Sequence, residues 1–366
     1  MAHLIKNGMI SFNAETPWHG LGTRVSQGAT PEEMLSAAKM DWEVEMRSLA
    51  VSCTVDGRNA WCHQPMSGFK AVMRADTNEV FAVPTKRYKT VQNIEVARFF
   101  HDYADAASCE LQVVGALEGG RKVWALAKVN ADYTVSVDGD ESDKQLGYVM
   151  LATSHDGSLR TIAMGTAIYV VCWNTMSAAL SRVSGKNFRF GKTDASKAFF
   201  SLKHTSKFTH EAKQQAARTV GLVKEQLEQT STMANLFASV SLDDKGRIEF
   251  VRRLIGGESY LEQVINDVER SASLLDAIVD EHDAKKMPED TRLGKAIIES
   301  ILTSPGNHLP SRKDTLWGAV NGVTYYADFE RGRNQDSTLS GAWFGQGAQL
   351  KERAVNVAYD LAGVSR

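Results

Sequence analysis

The sequence predicts an α+β fold, with antiparallel β-hairpins and helices in the N-terminal half followed by a mostly helical C-terminal region. Two observations predict it. Alternating, β-prone segments joined by hairpin dipeptides fill the chain as far as about residue 180, and apolar stripes of helical period dominate after about residue 210. No proline lies between Pro84 and Pro288, so long uninterrupted strands and helices are permitted there.

The N-terminal half is predicted to hold three helices and three hairpins, and the third helix starts near Asn174 and runs through Leu180. Thr30 before Pro31 indicates a helix start, because threonine is a good N-cap and proline suits the first helical position. A second helix is predicted from Asn93 to about Ala106. The predicted hairpins cover 69–91, 110–129 with the turn Glu118-Gly119-Gly120, and 146–173 with the turn Asp156-Gly157, and a further β-prone segment covers 42–55.

The C-terminal half is predicted to hold six helices. They cover about 210–238, 247–255, 258–284, 290–303, 313–330 and 348–362. We therefore expect four parts: an N-terminal arm (1–30), an α+β core domain (31–181), a basic connector (182–210) and a helical region (211–366).

Composition excludes several classes of protein. The 366 residues carry 42 basic and 44 acidic side chains, so a uniformly basic nucleic-acid coat protein is excluded. None of the four cysteines forms a C-x-x-C pair, which favours buried, reduced thiols in a cytosolic protein. Neither a signal peptide nor a membrane-spanning run is evident, and we expect a cytoplasmic protein with no membrane partner.

The common catalytic motifs are absent. The chain has no G-x-x-x-x-G-K-[ST], no H-E-x-x-H and no G-x-S-x-G. We assign no catalytic residue, no metal and no cofactor, and we favour a protein without enzymatic activity. The acidic segment 138–143 does not match a calcium loop and is predicted to be a solvated hairpin loop.

Six residues are candidates for facing a ligand: Trp18, His19, His155, Asn174, Thr175 and Asn321. Asn174 and Thr175 are predicted at a helix N-terminus, which either holds a phosphate or is simply capped. Trp18 and His19 stand between a proline and two glycines, and they either approach a ligand or dock the arm on the core. Asn321 begins a polar line on one helix face, which is either a buried hydrogen-bond network or a ligand-facing strip.

The segment 182–213 is basic, with eight cations against two carboxylates and several interleaved phenylalanines. Cations neutralise phosphates and aromatic rings stack on unpaired bases, so the segment is either a nucleic-acid surface or a merely solvated one. Arg121 and Lys122, beside the turn at 118–120, are two further cations that could extend this basic surface. The candidate nucleic-acid-binding residues are Arg121, Lys122, Lys186, Phe188, Arg189, Phe190, Lys192, Lys197, Lys203 and Lys207.

Six short segments occur together in this chain. They are PWHGLG at 17–22, VQN at 91–93, GALEGGRKVWALAKV at 115–129, SHDGS at 154–158, VVCWNT at 170–175 and TLWGAVNGVTYYAD at 315–328. In this combination they resemble the phage/plasmid-like protein family of unknown function, domain of unknown function 932. The chain departs from the expected pattern at Trp173, where a more polar residue is expected, and near residue 329, where a histidine is expected. The resemblance implies a mobile genetic element in the cytoplasm of a bacterial host cell, and no particular activity.

Three functions are consistent with these observations. The first is an oligomeric protein that binds single-stranded DNA in recombination, replication or plasmid establishment, because the order of elements is similar to that of ring-forming phage single-strand annealing proteins. The second is an enzyme acting on nucleic acid or nucleotides through His155, Asp156 or Cys172 with His19. The third is an anti-defence protein that binds a host factor, with the acidic segment 258–290 mimicking DNA.

Overall fold

The computed structural model describes ten stretches of the chain: 9–13, 22–55, 58–106, 108–169, 175–176, 200–202, 210–256, 287–331, 341–343 and 345–364. Strands dominate these stretches as far as residue 202 and helices dominate from residue 210, so the α+β fold class is confirmed. No helix within the described stretches has both the length and the apolar character needed to cross a membrane.

The described strands are β1 Ile10–Phe12, β2 Thr23–Arg24, β3 Val44–Val55, β4 Arg58–Arg74, β5 Val80–Ala82, β6 Glu110–Leu117, β7 Lys122–Lys128, β8 Tyr133–Val137, β9 Asp140–Ser154, β10 Thr161–Tyr169, β11 Thr175–Met176 and β12 Phe200–Leu202. The described helices include α1 Pro31–Ala37, α2 Asn93–Ala106, α3 His210–Ala238, α4 at 244–256, α5 Arg292–Thr303, α6 Leu316–Tyr325 and α7 Gln346–Leu361. The predicted helix at 258–284 lies outside the described residues.

Nine of these strands form one large sheet. Its main path runs β11-β10-β9-β7-β6-β1-β2, while β12 also pairs with β10 and β8 with β9. Only β1 and β2 pair in parallel. The hairpin predicted at 110–129 is confirmed as β6 and β7, and the predicted hairpin at 146–173 is confirmed as the pair of β9 with β10.

The two faces of the large sheet pack against different layers. Because side chains alternate along a strand, Val123 and Ala125 of β7 pack with α1, α2 and α3 on one face. Trp124 and Leu126 pack on the other face with Trp343, whose ring meets that of Trp124 edge-on at 4.9 Å. The sheet is therefore covered on both faces.

A smaller sheet has the order β3-β4-β5. Its β4–β5 hairpin lies within the predicted range 69–91, which is confirmed. Val72 pairs with Ala82 and Met73 pairs with Val80, so Phe81 is an extra residue on β5. Such a β-bulge redirects a side chain, and the Phe81 ring is buried beside Trp42 and Val72.

Local capping explains where α1 begins. Thr30 Oγ1 accepts a hydrogen bond from the Glu33 amide at 3.2 Å, and the Thr30 amide donates to Glu33 Oε2 at 2.8 Å. This reciprocal capping box satisfies two amides, and Pro31 occupies the first helical position. The helix start predicted from Thr30 is confirmed.

The helical region is built around α6, which is buried along almost its whole length. Gly322 lets α5 approach closely, because an added Cβ there would lie 2.4 Å from Ile301 Cα. Ser300 Oγ donates to Gly322 O across this contact at 2.8 Å. After α6 the chain makes a π-helical turn over Tyr326–Glu330. In this turn Asp328 forms a buried ion pair with Lys351 at 2.7 Å.

Two local predictions differ from the structure. The hairpin turn at Asp138 and Gly139 is present, but Asp143 is fully buried in β9 and paired with Arg312, so the prediction of a solvated loop is wrong for this residue. Thr175 does not open a helix. With Met176 it pairs as a strand with β10, because the adjacent edge supplies backbone hydrogen bonds. Within the predicted arm, β1 and β2 join the large sheet, and within the predicted connector β12 does so.

Candidate functional site

The VQN segment holds the entry to β3 against the start of α2. The Gln92 amide pairs with the backbone of Val44, donating to Val44 O at 2.9 Å and accepting from Val44 N at 2.9 Å. The next residue, Asn93, donates through Nδ2 to Met40 O at 2.8 Å. Val44 pairs with Arg74 of β4 on one edge of β3, and the Gln92 side chain takes the place of a strand partner on the other edge.

His155, from the SHDGS segment, contacts the same residue. Its Nε2 lies 2.8 Å from Asn93 Oδ1. Because the Asn93 amide nitrogen already donates to Met40 O, Asn93 Oδ1 is the acceptor and His155 Nε2 carries the proton. The ring stacks on Phe81 at 6.0 Å and meets Trp42 edge-on at 5.6 Å. His155 is only 2% exposed, so the imidazole is shielded from solvent.

Arg74 covers the other side of Trp42. Its guanidinium carbon lies 4.5 Å from the centroid of the Trp42 ring, and the group donates to Gly119 O at 3.0 Å. It also donates to both carboxylate oxygens of Asp76 at 2.7 and 2.9 Å, which lowers the pKa of that carboxyl. The turn at 118–120 is therefore fixed to the small sheet by a buried cation.

Tyr88 fixes a neighbouring loop to the SHDGS turn. Its hydroxyl donates to His155 O at 2.9 Å, and the His155 amide donates to Arg121 O at 2.7 Å. Burial, with the nearby charge of Asp156, raises the pKa of Tyr88 to about 12. The hydroxyl is thus a neutral donor at physiological pH. Residues 84–90, 118–122 and 154–158 come together as three adjoining loops.

The anchored loop at 84–90, which we call the basic loop, exposes three cations: Lys86, Arg87 and Lys89. None of them makes an ion pair with any residue of the described stretches. Cations without a carboxylate partner are available to an external anion, and clustered cations of this kind suit phosphate groups. The three cations form a positively charged rim, and the hydrogen bond from Tyr88 attaches this rim to the SHDGS turn.

The two predicted cations beside this rim are already paired. Arg121 donates to Glu79 Oε1 at 3.1 Å and to Val80 O at 3.2 Å. Lys122 forms an ion pair with Glu118 at 2.7 Å. Each lies next to the basic loop, yet its charge is offset by a neighbouring carboxylate. Their contact with phosphate stays a prediction.

The other predicted site residues lie apart from the loops or outside the described residues. Asn321 is buried in α6, where its amide donates to Trp317 O of the same helix at 2.8 Å. Thr175 lies in β11. Outside the described residues are Trp18, His19, Cys172, Asn174, Lys186, Phe188, Arg189, Phe190, Lys192, Lys197, Lys203 and Lys207.

The sequence reasoning missed the basic loop. The run Lys86-Arg87-Tyr88-Lys89 is a cluster of cations around an aromatic residue, and it could have been found by the same criterion that selected the segment 182–213. No group of three or more His, Cys, Asp or Glu side chains in the described ranges is arranged to hold a metal ion.

Three of the motif segments meet at these loops. VQN contacts SHDGS through Asn93 and His155, and SHDGS contacts GALEGGRKVWALAKV through the hydrogen bond from the His155 amide to Arg121 O. No curated protein and no solved structure matches the chain. One family model does match, over residues 80–343, which is more than half of the sequence and includes all three loops. The chain therefore belongs to the family described as a domain of unknown function (DUF932).

Proposed function

We propose that this protein binds single-stranded DNA during the recombination, replication or establishment of a phage or plasmid. The observation that carries the proposal is the basic loop, whose Lys86, Arg87 and Lys89 are exposed and make no ion pair within the described residues. Affinity for a nucleic acid comes largely from neutralised phosphates. The cations at 182–213 are further phosphate contacts that the sequence predicts.

The rigidity of the loop supports the proposal. Tyr88 sits between the cations and is fixed by its hydrogen bond to His155 O. A preorganised loop loses less conformational entropy when it binds than a free one does. The burial of His155 also favours a binding function over the alternative of a nucleic-acid-processing enzyme, since a general base must touch its substrate.

The test is fluorescence anisotropy with labelled single-stranded and double-stranded oligonucleotides over a series of salt concentrations. Each phosphate contact to a single strand contributes about 0.7 to the slope of log affinity against log salt. Replacing Lys86, Arg87 and Lys89 together with glutamine is expected to weaken binding and to reduce the slope by about two.

A matched control removes the same charge elsewhere. Lys245, Lys295 and Lys313 are exposed in the helical region and make no ion pair with a described residue, so their triple glutamine variant should bind like the unaltered protein. The proposal is overturned if the unaltered protein binds no oligonucleotide at low salt, or if the two triple variants lose the same affinity. A single host protein captured despite nuclease treatment would favour the anti-defence alternative.

The proposed function also includes the assembly of several copies of this chain into a homo-oligomer. Single-strand annealing requires several copies on one strand, and the proposed mode of action predicts larger assemblies when DNA is present. Sedimentation with and without an oligonucleotide measures this directly, and an unchanged monomer in both conditions would contradict an oligomeric mode of binding.

A further inference from the structure

An exposed aromatic ring lies on the small sheet directly beside the basic loop. Phe69 of β4 is 43% exposed and pairs with Thr85 in an antiparallel bridge. Backbone hydrogen bonds on either side fix this register, from Lys70 N to Pro84 O at 3.1 Å and from Lys86 N to Gly68 O at 2.8 Å. Phe69 is therefore held opposite the residue that precedes Lys86.

The ring lies on the outer face of the small sheet. Partners in an antiparallel pair point to the same face, and side chains alternate along each strand. Val72, three residues along β4, faces inward to the buried cluster of Trp42 and Phe81. Phe69 and Thr85 thus lie on the opposite, solvent-facing side. Val80 of β5 and Val83, just after the end of β5, are also exposed, at 44% and 48%.

This combination fits one class of ligand. An exposed aromatic ring beside unpaired cations can stack on a base while the cations neutralise the flanking phosphates. In a duplex the bases are already stacked on each other and their faces are not available to a phenyl ring.

We propose that Phe69 is a stacking residue for an unpaired nucleobase and that it gives the surface its preference for single strands. This inference rests on the proposed function, and it assigns the base-contacting group that the cations alone do not provide. Lys86 and Arg87 hold the backbone on one side of the ring, and the base covers the apolar face that is now in water.

The experiment compares three labelled probes: oligothymidylate, an abasic strand with the same number of phosphates, and a duplex. Phe69→Leu keeps an apolar side chain but removes the ring, and it is expected to weaken binding of oligothymidylate about tenfold. Binding of the abasic strand and the salt slope should not change, because the phosphate contacts are intact. Phe69→Trp should retain or improve the affinity for oligothymidylate.

Leu302→Ala is the control, since Leu302 is exposed to a similar extent, 48%, in the helical region. The inference is overturned if Phe69→Leu leaves oligothymidylate binding unchanged, or if it weakens binding to the abasic strand equally. A change in sedimentation of the free Phe69→Leu variant would assign this face to a second copy and would also overturn it. Failure of the unaltered protein to bind any probe would instead refute the proposed function.

Discussion

Asp143 and Arg312 form an ion pair with almost no contact with water, although 169 residues separate them in the chain. Arg312 Nε lies 2.9 Å from Asp143 Oδ2. The Arg312 side chain is 1% exposed and the Asp143 side chain 0%. The same carboxylate accepts hydrogen bonds from Ser311 Oγ at 2.8 Å and Trp317 Nε1 at 3.0 Å. The pair joins β9 of the large sheet to the segment that leads into α6.

Breaking this pair should destabilise the protein strongly. Asp143→Ala leaves Arg312 buried without its charged partner, and we expect a loss of about 3–5 kcal/mol in the free energy of unfolding. Urea unfolding followed by circular dichroism measures it. The control is Glu32→Ala, which breaks the exposed Arg98–Glu32 pair and should cost less than about 1 kcal/mol. Equal losses in the two variants would refute a special role for the buried pair.

Gly120 should tolerate no side chain, for two separable reasons. Its φ is +108°, and an added Cβ would lie 2.5 Å from Trp42 Cζ2. Gly139 also has a positive φ, +84°, but has no atom within 4 Å of such a Cβ. Gly139→Ala should therefore cost about 1 kcal/mol from backbone strain alone. Gly120→Ala should cost about 2–4 kcal/mol in the same unfolding assay, and a smaller loss than at Gly139 would contradict the packing against Trp42.

The Glu289 carboxylate should make stability depend on pH at the acid end. The hydrogen bond from Arg252 at 2.7 Å lowers the pKa of Glu289 below its ordinary value of 4.5. Because the folded state prefers the ionised form, this stabilisation is fully present above pH 4.5 and disappears as pH falls through the lowered pKa. Glu289→Gln should unfold more easily at pH 7. Its difference from the unaltered protein should shrink below pH 4.5, and a difference that is constant with pH would refute the assignment.

The Tyr88 hydroxyl should rigidify the basic loop. Tyr88→Phe removes the donor to His155 O and should cost about 1 kcal/mol in stability. Hydrogen exchange of the amides at 84–90 should become faster, since the loop opens more often. The matched control is Tyr133→Phe, because the buried Tyr133 hydroxyl has no hydrogen-bond partner among the described residues. That variant should be neutral or more stable. Unchanged exchange in Tyr88→Phe would mean that other contacts hold the loop.

The local patterns predicted most of the elements. Helices at Asn93–Ala106 and His210–Ala238 have the expected bounds, and the hairpin across Glu118 and Gly119 forms as its turn residues indicate. These features depend on capping, helical period and turn geometry, which act over a few neighbouring residues. The α+β class followed from the same patterns, since strand and helix signals occupy different halves of the chain.

Contacts between segments that lie far apart in the chain could not be predicted from these local patterns. Asp143 belongs to an acidic run, and a run of carboxylates ordinarily seeks water. Only the tertiary structure supplies Arg312, Ser311 and Trp317 as donors that make its burial favourable. Thr175 likewise became a strand because the edge of β10 lies beside it.

The candidate site shows the same division. The sequence by itself determined the residue types on which the site depends: the cations at 86–89, the VQN and SHDGS segments, and the glycine turn at 118–120. Only the tertiary structure decided that Asn93 meets His155, that Tyr88 anchors the cations, and that Phe69 lies opposite Thr85. The physical reason is that a side chain's partner, and hence its burial, is set by packing between segments far apart in the chain, whereas its local conformation is set by its neighbours.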